Sequence, residues 1–325
     1  MGLRRRRKFI PPHTMSRIRI IHTTSYRYAE RVGFGLHRLV VRPREGHDLQ
    51  VERLRLSVQP EAQITWHRDL FSNSIAIVQI TGKADYLRFQ SDVTVTRVDQ
   101  ASHHRLLTAF PVRYPLTYSS LETPIITGYL MPVYPEEVVM LREWLLATFS
   151  IKSGDDAVNI VHDIGTWIRE HIKYRRREDR GVQSPLETLA LKSGSCRDKA
   201  TLLLEAVRTI NVASRFASGY LDSAASAAGR AATHAWVEVY YPEHGWFGFD
   251  PTLGEGTSHK HIVTGVSSHP RGVMPITGTY SGPPDLYLGM EVAVGIEHLG
   301  TKKIQSSIQP DQMAGTIIKQ QTTSP

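Results

Sequence analysis

The chain has one cysteine, Cys196, among its 325 residues. A single thiol cannot form an internal disulfide, so buried apolar side chains must hold the fold together. The composition allows this, because 41% of the residues are hydrophobic and 22% are charged. A chain of this length is expected to form two domains, each with its own core. The free thiol also fits a reducing compartment, and we expect a cytoplasmic protein.

The first third of the chain alternates apolar and polar side chains, a pattern typical of β-strands. Ile18 and Ile20 alternate with arginines, and the same period recurs twice more before residue 97. Strand-sized pieces separated by turn residues predict a β-sandwich over residues 16–110. The segment 111–135, rich in proline and aromatic residues, is expected to be an extended connector to a second domain.

The second domain, residues 136–299, is predicted to begin with helices. One helix is expected at 136–148, and another at 155–172 with Ser153 and Asp156 as its capping box. Strands are predicted afterwards, at residues 214–221, 233–241, 246–249 and 288–294. Between the first two of these strands, the small-residue stretch 223–229 is expected to be a mobile loop.

Cys196 lies at the start of a further predicted helix. The apolar residues that share its face of that helix are Ala200, Leu203, Leu204 and Val207. The unpaired N–H groups and the dipole at a helix N-terminus favour a thiolate over a thiol. The preceding residues 193–195 are small, and we expect their N–H groups to be available as an oxyanion hole. Asp198 is interpreted as a partner of the helix dipole, without a role in the chemistry.

An imidazole and a carboxylate follow the thiol and complete the set that a thiolate nucleophile needs. His234 begins an alternating strand, and Asp250 ends a second short strand that Pro251 stops. The intervening segment 242–245 is typical of a hairpin turn. A hairpin in a suitable register would bring His234 beside Asp250, which the sequence allows without requiring. We therefore interpret Cys196, His234 and Asp250 as a candidate catalytic triad.

Four ordered sequence blocks resemble the transglutaminase-like superfamily, whose core is papain-like. The blocks are Gly194–Asp198, Arg215–Leu221, His234–Val239 and Gly245–Thr252. The resemblance implies an α+β core in which the helix that bears the cysteine packs on an antiparallel sheet. It also implies that the cysteine, histidine and aspartate of these blocks, Cys196, His234 and Asp250, are the catalytic residues.

The resemblance extends to the N-terminal region, where motifs between His22 and Arg44 are similar to the β-rich module that precedes the core in many bacterial members. One stretch departs from the family. Where a Gly-Arg-Asp-Tyr sequence is usual, this chain has the segment Ser267–Pro275, which lacks the usual charges. We expect this segment to border the cleft and to affect substrate preference.

The net charge of +8 is mostly local, because five of the positive charges lie at Arg4–Lys8 and the rest of the chain carries only +3. Residues 1–15 are interpreted as a disordered basic tail, and the polar residues 300–325 as a second disordered tail. No stretch approaches the roughly eighteen apolar residues needed to span a bilayer. Basic and aromatic residues are not interleaved as in nucleic-acid-binding proteins. We therefore expect no membrane and no nucleic-acid partner, and the sequence indicates no oligomeric state.

The expected function is that of a cysteine enzyme that acts on peptide or protein amides through a thioester on Cys196. Water as the second nucleophile gives a protease or amidase, whereas a lysine amine gives a cross-link. We expect hydrolysis, because the segments 223–229 and 267–275 are poorly suited to exclude water or to attract a lysine. A catalytically silent peptide-binding module is the alternative from a different class.

No cofactor and no metal are expected. The tract His259–His261 has a chelating spacing, but no carboxylate or thiol accompanies it in the sequence. Three organic groups suffice for the proposed thiol chemistry.

Overall fold

The computed structural model describes residues 14–98, 111–176, 181–228 and 231–303. Its strands are β1 (Thr14–Phe34), β2 (His37–Leu39), β3 (Leu49–Gln59), β4 (Ala62–Arg68), β5 (Ser74–Ile80), β6 (Lys83–Val98), β7 (Lys173–Tyr174), β8 (Ser193–Gly194), β9 (Ser214–Leu221), β10 (His234–Tyr241), β11 (Gly245–Asp250), β12 (Glu255–Gly256), β13 (His261–Ser267), β14 (Ile276–Thr277), β15 (Tyr280–Ser281) and β16 (Tyr287–Lys303). Its helices are α1 (Thr123–Leu130), α2 (Val138–Thr148), α3 (Ala157–His171), α4 (Pro185–Leu191), α5 (Cys196–Arg208) and α6 (Ala224–Ala227). Short 3₁₀ turns cover Pro135–Glu137, Pro270–Val273 and Pro284–Leu286.

Two antiparallel sheets form an N-terminal sandwich. In the first sheet, β1 lies between β6 on one side and β15 with β16 on the other, and β3 flanks β6. The second sheet has the order β14-β2-β5-β4. Apolar side chains of both sheets form one core, which includes Leu39, Val78, Leu87 and Phe89. The predicted sandwich is therefore confirmed.

Strand β1 is long enough to serve both halves of the molecule. It has 21 residues, which extend over about 70 Å. Near its C-terminal end, Tyr28 belongs to the sandwich core. Near its N-terminal end, Ile18 and Ile20 share a core with Tyr220 and Ile262 of the second domain. One sheet face is thus continuous across both halves.

The strand predicted at 288–294 is longer than expected and lies in a different sheet. Strand β16 pairs antiparallel with β1, from the pair Tyr28–Tyr287 to the pair Thr14–Lys303, so it completes the N-terminal sheet and not the second domain. Alternation identifies a strand but does not specify its partner. The predicted boundary at residue 299 therefore cuts through β16, and the predicted tails overlap the ends of β1 and β16. The remaining tail residues lie outside the described part of the chain.

Helix α5 packs on the five-stranded antiparallel sheet β12-β11-β10-β9-β13. Leu203 and Val207 of α5 are fully buried and share a core with Val237 and Val239 of β10. Helices α2, α3 and α4 also contact α5, so its residues are buried from Asp198 to Arg208. The helix that bears Cys196 therefore packs on an antiparallel sheet, as the predicted α+β core requires.

Two local predictions for this half of the chain were wrong. Helix α3 is capped by Asp156 alone, whose side chain accepts from the N–H of Val158 at 2.9 Å, and the predicted capping box with Ser153 does not form. The connector is not fully extended, because α1 lies within it. Pro124 is in the first turn of this helix. Proline is tolerated there, since the first N–H groups of a helix have no acceptor within it.

Candidate active site

Cys196 is the first residue of α5, and a capping box fixes its backbone. The hydroxyl of Ser195 accepts from the N–H of Asp198, while the Asp198 carboxylate accepts from the N–H of Ser195 at 2.8 Å. Asp198 thus serves the helix N-terminus, as predicted. The expectation of a free N–H at Ser195 was wrong, because this bond uses it. The N–H of Cys196 itself, as the first residue of the helix, has no acceptor within it.

A short parallel strand pair holds the segment before the cysteine. Strand β7 pairs with β8, and the N–H of Arg175 donates to the carbonyl of Gly194 at 2.9 Å. A Cβ atom on Gly194 would lie 2.8 Å from Cβ of Asp198, so glycine is required at this close approach. The pairing places the exposed side chains of Tyr174, Arg175 and Arg176 beside the segment that leads to the thiol.

The hairpin of β10 and β11 brings His234 to Asp250. Its register pairs Val237 with Phe249, so His234 reaches Asp250 diagonally on the same face of the sheet. The distance from Nε2 of His234 to Oδ2 of Asp250 is 2.6 Å. The other carboxylate oxygen accepts from the N–H groups of Thr252 and Leu253, at 2.8 and 3.3 Å. Asp250 is fully buried, and every one of these contacts stabilises its charged form.

His234 also interacts with the Cys196 thiol, and this interaction shifts the pKa values of both groups. Burial lowers the pKa of His234, but its bonds to Asp250 and Cys196 outweigh burial and raise that pKa to about 10. Burial raises the pKa of the Cys196 thiol, but the hydrogen bond and charge of His234, with the charge of Arg197, bring it below its ordinary value. The site therefore favours a thiolate–imidazolium pair. The three residues named from the sequence are thus brought together in one site, with a hydrogen bond between His234 and Asp250.

Burial also acts on Asp250, where it raises the pKa of the carboxyl. The hydrogen bonds of His234 and of a second histidine, His261, together with the charge of His234, outweigh burial and hold that pKa well below its usual range. Asp250 therefore stays ionised and can orient the His234 imidazolium.

Sequence reasoning missed His261 as a member of this site. It begins β13, and its Nε2 lies 3.1 Å from Oδ2 of Asp250. In the sequence, the tract His259–His261 stands out only by a spacing that could chelate a metal. A histidine at the start of a strand in the block after the triad was the available signal, but nothing local indicated which strand would lie beside it.

Within the described residues, His234, Asp250 and His261 have possible ligand atoms within 4.8 Å of one another. A tetrahedral zinc site would hold its ligand atoms roughly 3.3 Å apart. The separation of 2.6 Å between His234 and Asp250 is instead that of a charge-assisted hydrogen bond. A cavity of about 390 Å³ near Phe149 and Asp155 is lined by none of the triad residues, so we assign it no part in the chemistry.

The two segments expected around the cleft have defined contacts in the structure. Residues 223–228 include α6, which is capped by Ser223 and contacts β16, so this stretch contains a helical turn. The segment 267–275 lies at the far end of β13 from His261, about 20 Å along the strand. There its carbonyls accept from Arg208, Arg197 and Arg38. The segment thus contacts both the N-terminal half, through Arg38, and Arg197, the residue that follows Cys196.

Two family models match the chain in the order of its two halves. Residues 18–96 match the bacterial transglutaminase-like N-terminal region, and residues 146–251 match the transglutaminase-like superfamily. With the Cys-His-Asp site, these matches define a protein of the papain-like cysteine class. The chain belongs to the transglutaminase-like superfamily and carries the bacterial N-terminal region in front of its core.

Relatives and a solved structure cover both halves of the chain. An uncharacterized protein of Mycobacterium tuberculosis is 26% identical over 283 residues, which cover 83% of this chain and 89% of that protein. One from Mycobacterium leprae is 22% identical over 274 residues, covering 82% and 94%. A crystal structure from Cytophaga hutchinsonii, described as a candidate cysteine protease, has a TM-score of 0.69 at 16% identity and covers 89% of this chain and 93% of that one. At that identity the likeness shows the fold alone.

None of the helices in the described residues has the length and apolarity that crossing a membrane requires.

Proposed function

We propose that the protein hydrolyses peptide or side-chain amides through a thioester on Cys196. The observation that carries this proposal is the row Cys196–His234–Asp250, in which the thiol pKa is lowered and the imidazole pKa is raised to about 10. A thiolate beside an imidazolium is the reactive form of a cysteine nucleophile.

In the first half of the reaction, the Cys196 thiolate attacks the carbonyl carbon of the amide. The carbonyl oxygen gains negative charge, and the N–H of Cys196 faces it. The C–N bond then breaks, the proton on His234 passes to the leaving nitrogen, and a thioester remains. Asp250 keeps the imidazole oriented throughout.

In the second half, the neutral His234 removes a proton from water while the oxygen of that water attacks the thioester carbon. The C–S bond breaks, a carboxylic acid leaves, and the thiolate and imidazolium are restored. An amine in place of water would give a cross-link by the same steps. This transglutaminase activity is the alternative outcome.

The charge beside the nucleophile favours water over a lysine amine. The side chains of Lys173, Arg175 and Arg176 are exposed next to the strand pair that precedes Cys196. A free lysine approaches as an ammonium at neutral pH, because its pKa is about 10.4. Like charges repel, so these three basic side chains disfavour the approach of a lysine acceptor and do not affect water.

A catalytically silent peptide-binding module would not require a buried carboxylate hydrogen-bonded to an imidazole.

Incubating the protein with a glutamine-containing peptide and a labelled primary amine distinguishes hydrolysis, cross-linking and silent binding in one experiment. We expect free carboxylate to exceed incorporated amine, with neither product formed by Cys196→Ala. Excess amine incorporation would favour the cross-linking alternative, and no product over a panel of amides would favour the silent module.

A further inference from the structure

His261 contacts the catalytic carboxylate, yet the three-residue mechanism gives it no part. Its Nε2 lies 3.1 Å from Oδ2 of Asp250, the same oxygen that His234 contacts at 2.6 Å. The His261 side chain is only 2% exposed. Two imidazoles therefore converge on one oxygen of a fully buried carboxylate.

The turn before β13 decides which nitrogen of His261 carries the proton. The backbone N–H of Ser258 donates to Nδ1 of His261 at 3.2 Å, and the N–H of His261 donates back to the carbonyl of Ser258 at 2.9 Å. A backbone N–H can only donate, so Nδ1 must present its lone pair. The proton is then on Nε2, which faces Asp250. His261 is therefore fixed as an N–H donor to the carboxylate.

His261 reaches Asp250 from a distant part of the sheet. Asp250 ends β11, whereas His261 begins β13, which lies at the opposite edge of the order β12-β11-β10-β9-β13. The donors to Oδ1, from Thr252 and Leu253, belong to the chain that directly follows Asp250. They hold one oxygen only, and His261 adds a donor to the oxygen that faces His234. The edge of His261 also packs against buried Trp236, with ring centroids 5.1 Å apart.

We propose that His261 is a positioning residue, which holds Oδ2 of Asp250 against Nε2 of His234 and so keeps the imidazolium aligned with the Cys196 thiolate. The inference rests on the proposed thiol chemistry, but it is independent of whether water or an amine completes the reaction.

Other charged groups face the same site and must stay in place when His261 is changed. From α5, Arg197 favours the thiolate and Lys199 interacts with Asp250. Arg169 of α3 interacts with Lys199, and Tyr174 of β7 interacts with Cys196. In the described part of the chain no hydrogen bond joins any of these four side chains to His261, so a His261 variant removes the donor to Asp250 and leaves these groups in place.

The test is the rate of Cys196 alkylation by iodoacetamide as a function of pH, in the full chain, for wild type, His261→Phe and His261→Gln. Phenylalanine keeps a ring without the donor, and glutamine can place an amide N–H near the position of Nε2. A hydrogen bond to a charged group is worth enough to shift a pKa by about one unit. We therefore expect His261→Phe to raise the alkylation midpoint by about one pH unit and to slow the reaction at pH 7 roughly tenfold. His261→Gln should restore most of the wild-type alkylation midpoint and most of the rate at pH 7.

The chain offers a matched control in His298, whose Nε2 lies 3.1 Å from Oδ1 of Asp222, away from the thiol. His298→Phe should leave the alkylation profile unchanged. If His261→Phe does not fold, His261→Asn takes its place, because its shorter side chain cannot reach the carboxylate.

Two results would overturn the proposal. One is a variant without the donor that unfolds at lower temperature yet keeps the wild-type alkylation profile, since that marks a purely structural role. The other is a His261→Gln profile that matches His261→Phe. Alkylation needs no amide substrate, so a failure of the proposed hydrolysis would be seen separately as a normal alkylation profile without turnover.

Discussion

An ion pair on the N-terminal sandwich and one inside the catalytic domain differ sharply in their exposure to solvent. In the first sheet, Arg17 pairs with Glu52 at 2.7 Å, and the Arg17 side chain is 54% exposed. In the catalytic domain, Glu205 pairs with Arg208 at 3.0 Å inside the fold, and each side chain is 2% exposed. An exposed pair adds little to stability, whereas a buried pair is costly unless all its polar atoms find partners.

Most polar atoms of the buried pair find partners, although Nε of Arg208 is buried without one. Glu205 accepts from the N–H groups of Val133 and Tyr134, in the connector. Arg208 donates to the carbonyls of Met131, Ser214 and Ser268, which lie on three separate segments. The sandwich is held by long paired strands, but the catalytic domain has irregular segments around α5 and fixes them with buried charge. This comparison indicates that the stability of the catalytic domain depends more on individual polar contacts than that of the sandwich does.

The largest expected effect separates activity from stability within the catalytic domain. Cys196→Ala removes the nucleophile, so amide turnover should fall by on the order of 10³-fold or more, with the thermal unfolding temperature little changed. The control is Leu70→Ala, at a side chain 91% exposed in the N-terminal half, which should keep full turnover. Turnover that survives in Cys196→Ala would break the assignment of chemistry to this domain.

The next largest effect concerns the buried pair. Glu205→Gln keeps the shape of the side chain but leaves the charge of Arg208 buried without its partner. We expect the free energy of unfolding to fall by about 3–5 kcal/mol. Urea unfolding followed by tryptophan fluorescence measures this change. A loss no greater than that of an exposed pair would show that the two domains do not differ in this respect.

A third effect is on the pH dependence of the thiol. An ordinary cysteine titrates near pH 8.5, and the hydrogen bond and charge of His234 lower the pKa of Cys196. Thiolate therefore appears at lower pH than in a free cysteine, and alkylation should reach half its maximum below pH 8.5. His234→Gln removes the imidazolium, so burial then dominates and the midpoint should move to higher pH. Equal midpoints in the two proteins would contradict the ion pair.

The smallest effect is expected for the same chemical change in the sandwich. Glu52→Gln removes the charge that pairs with exposed Arg17, and solvent already screens this pair. The free energy of unfolding should change by less than about 1 kcal/mol. The same urea titration gives a direct comparison with Glu205→Gln. Equal losses for the two variants would remove the contrast between the domains.

The sequence predicted those parts of the site that depend on local pattern. The helix that begins at Cys196 follows from apolar spacing, and the strand ends at His234 and Asp250 follow from alternation and a proline. Their contact needed only a hairpin register. His261 could not be predicted in this way, because its contact with Asp250 depends on where β13 lies in the sheet.

The same limit explains the error over β16. Its alternation was visible, but its partner β1 is more than 250 residues away in the chain. Period-two patterns indicate which face of a strand is buried, but they do not specify the strand with which it pairs. The buried pair of Glu205 and Arg208 was also not predicted, since two charges on a helix more often face water.

The pairing of β1 with β16 has a consequence for the order of biosynthesis. The ribosome makes β1 early and β16 only after the whole catalytic domain. The core around Cys196 can therefore fold cotranslationally, whereas the N-terminal sheet is complete only after β16 has been synthesised and has paired with β1. That last strand also accepts Ala231 as a partner, through the bond from the N–H of Val294 to the Ala231 carbonyl at 2.8 Å. The segment leading to His234 can therefore gain this contact only after β16 has been synthesised.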